Sequence, residues 1–452
     1  MGTRIKKQIL PVILLLATLL SVRVLSLMFM RAHLNNPAWF QTGSYSKFDR
    51  QARDILDGKQ RVFFIDDPTR TDLVQYPPAF PTFVAAVYGI SGERTPYVVQ
   101  TVQWVIDLIV SIFLIIGMTV SAFGWRAGFA AGFLAALLPL FAMYAAYPSA
   151  DIPGMWFVLA GNWLLLLAAK RNSVRLALAA GALLGVACWF RVNPLYLAVG
   201  WGVALFLVVK APRRRRIAMS GAVVFATVLV ISPIVVRNYL TFPDFTPTGG
   251  TIGVNLWEGL GETELGRAHG FRVDDVDLIE GERVKMGWPA DQYFDSQWPD
   301  GIRRDNERAR IAMAFIKERP LWFLGTMFPR MWGMLKVAGD PVPYSGVAGF
   351  NVTSRKCLSP AWQGGVAAFG VNVLGMIQSV ARYLFLPLAA FGIYVAARRN
   401  MIAAVVFTVT VLYYLVPGTT GHTEIRYMLA MHGVLTVFAG AAVDRILQIL
   451  TK

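Results

Sequence analysis

The chain has 452 residues, of which 56% are apolar and only 15% charged, where soluble domains carry roughly a quarter charged residues. With a mean hydropathy of +0.51 and 13% aromatics, this composition excludes a disordered chain, a coiled coil and an ordinary soluble enzyme. The net charge of +16, from 43 Lys and Arg against 27 Asp and Glu, suggests nucleic acid, but the basic residues are not gathered on one polar domain.

A spanning helix needs about 20 mostly apolar residues. In chain order such stretches fall at 9–30, 97–120, 127–146, 154–169, 176–190, 195–209, 217–236, 383–397, 401–416 and 428–443. They predict an all-α polytopic membrane protein of about ten transmembrane helices, with both termini on one side. If that side is inside, the inner segments carry Arg4, Lys6, Lys7, Arg126, Lys170, Arg171, Arg175, Lys210, Arg213–Arg216, Arg398 and Arg399. Of the 27 acids, Asp107 falls within a span and Asp444 inside, leaving 25 outside. The positive-inside rule therefore puts both termini in the cytoplasm of an inner membrane, and Arg213–Arg216 reads as a topogenic anchor. The first stretch has no clear small-x-small cleavage site after it and reads as a retained helix. Arg23 within it is costly in lipid, so it snorkels, faces the bundle or marks an earlier end to the span.

Two large outer segments remain, 31–96 and 237–382. The expected organisation is a seven-helix module with its first outer loop (1–236), a large outer, periplasmic region (237–382) and a three-helix membrane segment (383–452). Short helices are expected at 49–57, 76–89 and 302–315. The stretch 320–337 is apolar enough to span, but as a span it would move Arg398 and Arg399 outside, so it reads as a helix in the interface. Cys188 and Cys357 both fall near the outer face, as one disulfide or as two thiols. Asn351-Val352-Thr353 is a sequon, meaningful only in a glycosylating pathway. A transporter more often gathers polar groups at mid-membrane on broken helices; here only Asp107 is clearly intramembrane, which favours chemistry at the outer interface.

The outer loops carry four motifs in order. The first is Gly43-Ser-Tyr-Ser-Lys-Phe-Asp-Arg-Gln-Ala-Arg-Asp-Ile-Leu-Asp-Gly58, followed by Asp66-Asp67-Pro68-x-Arg70, Tyr76-Pro77-Pro78-Ala79-Phe80-Pro81 and Tyr88-Gly89. Next come Tyr147-Pro148-Ser149-Ala150-Asp151, then Arg237-Asn238-Tyr239 through the Gly-rich 246–259, and last Glu424-x-Arg426-Tyr427. Together they resemble the GT-C glycosyltransferases, the group that includes protein O-mannosyltransferases and aminoarabinose–lipid A transferases. One departure stands out. Aligned on Ala52, the family's leading acid falls on Ser44 and its following Glu on Tyr45, with Asp49 the nearest acid.

The resemblance implies a polyprenyl-phosphate sugar donor held in the bilayer and an envelope lipid, glycan or protein as acceptor at the outer face. Such transfer needs a proton acceptor near the acceptor's hydroxyl or amine and cations to offset charge on the departing phosphate. Asp49 and Asp151 are the candidate catalytic carboxylates, Asp151 having a helix N-cap before Pro153 as its structural alternative. Arg426, Arg191 and Arg237 are candidates for the donor phosphate, since Arg binds phosphate bidentately. Tyr76, Tyr427, Glu424, His422, Trp257 and Glu258 are candidates for substrate contact. The four histidines show no zinc-ligand spacing and no cofactor is expected; a divalent cation on Asp49 and Asp151 is conceivable chemistry without support. A lipid-linked saccharide flippase and a non-catalytic binding subunit are the alternatives.

Overall fold

The computed structural model describes residues 2–34, 44–249, 251–289, 300–337, 365–422 and 424–451. Among these the chain is helical, with no strand. All ten apolar stretches form helices. α1 (Gly2–Leu34) leads to two short outer helices, α2 (Ser44–Leu56) and α3 (Ala79–Ser91). The bundle continues through α4 (Pro96–Phe123), α5 (Trp125–Leu137), α6 (Pro139–Ala145), α7 (Asp151–Arg171), α8 (Val174–Phe190), α9 (Leu197–Val208) and α10 (Arg213–Thr241). Five helices follow outside the bundle: α11 (Ile252–Gly261), α12 (Glu264–Ala268), α13 (Asp275–Met286), α14 (Gly301–Glu318) and α15 (Pro320–Met334). The chain closes with α16 (Gly365–Arg399), α17 (Met401–Leu415) and α18 (Leu429–Leu450).

By length and apolarity seven helices can cross a membrane, and eight if α5 and α6 form one bent span. The other two, α8 and α9, are apolar helices of 17 and 12 residues. The stretch 127–146 is divided because Pro139 disfavours helical backbone at the residue before it. Leu138 is accordingly extended (φ −68°, ψ 121°), and the axis turns by 62°.

Small residues set the closest approaches. A Cβ on Gly181 would lie 2.2 Å from the Val223 carbonyl oxygen, so α8 and α10 meet backbone to backbone. Thr227 Oγ1 donates to the Gly181 carbonyl at 2.9 Å across the same contact. Turns at one end of the bundle are tied by basic and amide side chains: Lys170 to Ser121 O, Arg215 to Asn172 O, Asn400 to Ala122 O and Arg399 to Asp444. Asp151, Arg191 and Arg426 gather at the other end.

Arg23 and Asp107, the two charges inside spans, form one ion pair, and both are fully buried. Asp107 also accepts from Ser111 and from Trp156 Nε1, and Arg23 donates to Phe141 O at 3.1 Å. Arg23 therefore faces the bundle. Cys188 is a buried free thiol among the described residues; Cys357 and the sequon lie outside them.

Outside the bundle, α14 carries Asp305, whose carboxylate accepts from the backbone N–H of Gly253 (3.0 Å) and Val254 (2.9 Å) and so caps α11. A Cβ at Gly253 would sit 2.0 Å from Asp305 O, which explains one glycine of the Gly-rich stretch. On α15, Leu321, Leu324, Phe328 and Trp332 are exposed while Arg330 is 2% exposed: an apolar stripe outward and a single cation inward.

Candidate active site

The start of α7, the end of α8 and the turns between α17 and α18 converge beneath α11. They enclose a cavity of about 640 Å³ lined by more polar than apolar surface. At its base Arg191 forms an ion pair with Asp151, Nη2 donating to Oδ2 at 3.1 Å and Nε standing 2.8 Å from Oδ1. Arg426 pairs with Glu424 and stands 4.0 Å from Asp151 Oδ2. Both guanidinium groups lie over the Tyr427 ring, 5.2 and 5.4 Å from its centroid, and the Tyr427 hydroxyl donates to Glu424 at 3.3 Å. Two cations thus face two carboxylates at low exposure, 16% and 13% for the arginine side chains. Arg426 Nε is buried with no hydrogen-bond partner among the described residues. Below them an apolar recess runs between Met155, Val158, Tyr414, Leu429 and Ala430.

One wall is built on α11. Glu258 is 8% exposed, and burial pushes its carboxyl up to about 8, with His422 pulling the other way. Glu262, one turn on, receives Arg330 Nε at 2.9 Å from α15 and lies 2.7 Å from His422 Nδ1. Arg330 also donates to the Gly259 and Thr419 carbonyls. The His422 backbone N–H donates to Asn255 O at 2.6 Å. Burial opposes the charged His422, but the Glu262 bond and the charges of Glu258, Glu262 and Glu424 outweigh it and raise the imidazole above its ordinary 6.5.

The opposite wall brings Lys47, Gln75 and Tyr76 against Asp274 and Asp275. Burial and the neighbouring Asp274 raise the Asp275 carboxyl, while Lys47 restrains it. Lys47 Nζ donates to Gln75 Oε1 at 3.3 Å.

Of the sequence candidates, Arg191, Arg426, Tyr427, Glu424, His422, Glu258 and Tyr76 line this cavity, and Asp151 adjoins its base. Asp49 does not. It follows Lys47 by two residues, about 200° round the helix, so when Lys47 faces the cavity Asp49 faces α3. There its carboxylate takes Arg53 Nε at 2.8 Å and the Tyr88 hydroxyl. Asp151 sits at the cavity base in an ion pair with Arg191, whose guanidinium it orients. It does not cap its helix, since Ala150 occupies the N-cap. Arg237 leaves the cavity too, bonding Asn238 Oδ1 and the Phe63 carbonyl. Trp257 packs edge-on against Phe271, 4.7 Å between centroids, in an apolar cluster with Leu260 and Phe315.

Lys47, Asn255, Glu262, Asp274, Asp275 and Arg330 were not singled out. Two carried a signal: Glu262 lies four residues from Glu258, one turn of a helix, and Arg330 is the one charge between Pro320 and Leu335. Among the described residues no group of three or more metal-ligating side chains occurs.

Residues 75–237 match the family model described as dolichyl-phosphate-mannose-protein mannosyltransferase. The match is one of similarity and takes in about a third of the chain. The matched segment runs from Gln75 and Tyr76 through Asp151 and Arg191 to Arg237, so it contains both halves of the ion pair at the cavity base. Among solved structures, the oligosaccharyltransferase of Archaeoglobus fulgidus in its apo form aligns at 14% identity and TM-score 0.49, over 96% of this chain and 51% of that one. The same enzyme in complex with an inhibitory peptide and a dolichol-phosphate gives 14%, 0.49, 96% and 50%. ArnT from Cupriavidus metallidurans bound to undecaprenyl phosphate aligns at 15% identity and TM-score 0.39, over 96% of this chain and 78% of that one. The chain spans about half the length of the archaeal structures it matches. No curated protein matches.

Proposed function

We propose that the protein is a membrane glycosyltransferase that moves a sugar from a polyprenyl-phosphate carrier to an envelope acceptor, a lipid, glycan or protein. The reaction takes place at the outer face of the cytoplasmic membrane, with both termini in the cytoplasm. The observation that carries this reading is the pair of guanidinium groups, Arg191 and Arg426, over the Tyr427 ring at the base of a polar cavity. A phosphate-linked sugar donor needs this order of surfaces: cationic for the phosphate, polar for the sugar. Asp151 and Glu424 hold the guanidinium groups in place before the donor arrives, which limits reorganisation as charge develops on the leaving phosphate. The cavity above leaves room for sugar and acceptor between α11 and the 417–422 turn. Asp107 supports this reading over the flippase, because Arg23 neutralises it in a closed contact.

The test is transfer from polyprenyl-phosphate sugars by the purified protein in lipid nanodiscs. Arg191→Ala and Arg426→Ala are each expected to cut kcat/KM by about 10²–10³-fold, as removal of a charge-stabilising donor does elsewhere. Lys at either position should restore only part, lacking the planar fork. Wild-type rates in both Ala variants would refute the proposal. Mass spectrometry of envelope glycans with and without the protein names the acceptor.

A further inference from the structure

We propose that His422 is the group that takes the proton from the acceptor, as the outer member of a relay Arg330–Glu262–His422 that fixes its tautomer and direction. This assignment rests on the glycosyl-transfer reading above and gives it a proton acceptor that faces the cavity.

The relay is built from three parts of the chain. Glu262 closes α11, Arg330 comes from α15, and His422 lies in the turn before α18. Arg330 Nε donates to Glu262 Oε2 at 2.9 Å, and Glu262 Oε1 stands 2.7 Å from His422 Nδ1. Arg330 and Glu262 are both buried, at 2% and 6% exposure. A carboxylate can only accept hydrogen bonds, so His422 Nδ1 is the donor, and the lone pair of the neutral ring lies on Nε2. His422 lines the cavity with a side chain 20% exposed, and Nε2 makes no hydrogen bond among the described residues. Its backbone is pinned as well, by its N–H to Asn255 O. Ring, tautomer and main chain are therefore set before any acceptor arrives, as a histidine–carboxylate pair requires of a general base.

The step balances within the groups named. The acceptor's O–H or N–H proton passes to His422 Nε2 as its oxygen or nitrogen bonds the anomeric carbon. The bond from that carbon to the phosphate oxygen breaks, and its electron pair leaves on the polyprenyl phosphate beside Arg191 and Arg426. The acidic groups facing the imidazole are Glu262 and Glu258 from α11 and Glu424 from its own turn. All favour the imidazolium that forms. Arg330 from α15 lies behind Glu262 and meets its charge.

Two readouts on the full-length protein in nanodiscs test this, one independent of turnover. With ring-labelled histidine, the His422 resonance, assigned by His422→Gln, should titrate above the ordinary imidazole value and move down in Glu262→Gln. In transfer assays, His422→Gln should lose about 10²–10⁴-fold in kcat, the usual contribution of a general base, with KM for the donor unchanged. The acid limb of its pH profile should vanish. Glu262→Gln should shift that limb to lower pH; because it leaves Arg330 buried without its partner, His422→Asn, which leaves the ion pair intact, serves as the second variant. Transfer by wild type with undiminished kcat in both His422 variants overturns the assignment alone. A His422 resonance that ignores Glu262→Gln overturns the relay. Wild type inert toward every polyprenyl-phosphate sugar overturns the transferase reading and this role together.

Discussion

Asp107→Asn tests whether the intramembrane ion pair holds the bundle together. Arg23 and Asp107 have no solvent exposure, and removing one partner of such a pair typically costs about 3–5 kcal/mol because the other charge is left buried. The structure places this substitution at the upper end. Arg23 Nε and Nη2 already have no hydrogen-bond partner among the described residues, so once the carboxylate charge is gone the guanidinium keeps the Phe141 carbonyl as its remaining strong acceptor, at 3.1 Å. The converse change, Arg23→Met, leaves the carboxylate with Ser111 and Trp156 as donors and should cost less. For 452 residues at about 2 cal/mol/K of unfolding entropy per residue, a loss of about 5 kcal/mol lowers the melting midpoint by roughly 5 °C. Thermal unfolding in detergent, followed by near-ultraviolet circular dichroism, measures it. The double variant Arg23→Met/Asp107→Asn should melt no lower than Asp107→Asn, since the two charges disappear together. Additive losses, or an Asp107→Asn midpoint within about 1 °C of wild type, would show that the pair contributes no coupling.

Three further outcomes follow from other contacts. Gly181→Ala puts a methyl 2.2 Å from a backbone oxygen and should destabilise by about 1–3 kcal/mol, whereas Gly221→Ala, with open space around its Cβ, should not; equal midpoints for the two would refute the backbone contact. Glu258 keeps its proton in the folded state up to about 8, against 4.5 unfolded. The folded state then binds the extra proton between those values, so stability falls as pH rises from about 4.5 to 8, by up to about 1.4 kcal/mol per pH unit. Glu258→Gln should remove that slope, and parallel melting curves for variant and wild type from pH 5 to 8 count against it. Asp49→Asn, remote from the cavity, should transfer sugar at close to the wild-type rate; a loss beyond tenfold would place Asp49 in the chemistry after all.

The membrane character and the helices were legible in the chain because they depend on local composition. An apolar run of spanning length stays a helix whatever surrounds it, since lipid offers no other partner for its backbone. Arg191, Arg426, Glu424 and Tyr427 stood out as candidates because all lie at helix ends between apolar runs, and their convergence came only with the fold. Which way a side chain turns was not legible. Asp49 and Lys47 lie two positions apart on one short helix, and only the packing of α2 against α3 decides that Lys47 meets the cavity while Asp49 meets Tyr88. The relay Arg330–Glu262–His422 joins residues 68 and 160 positions apart, a pairing that no local pattern encodes. Sequence by itself determined the solvent each segment needs. Only the tertiary structure decided which charges neutralise one another and which are left facing the cavity, because a buried charge is settled by its nearest partner in space.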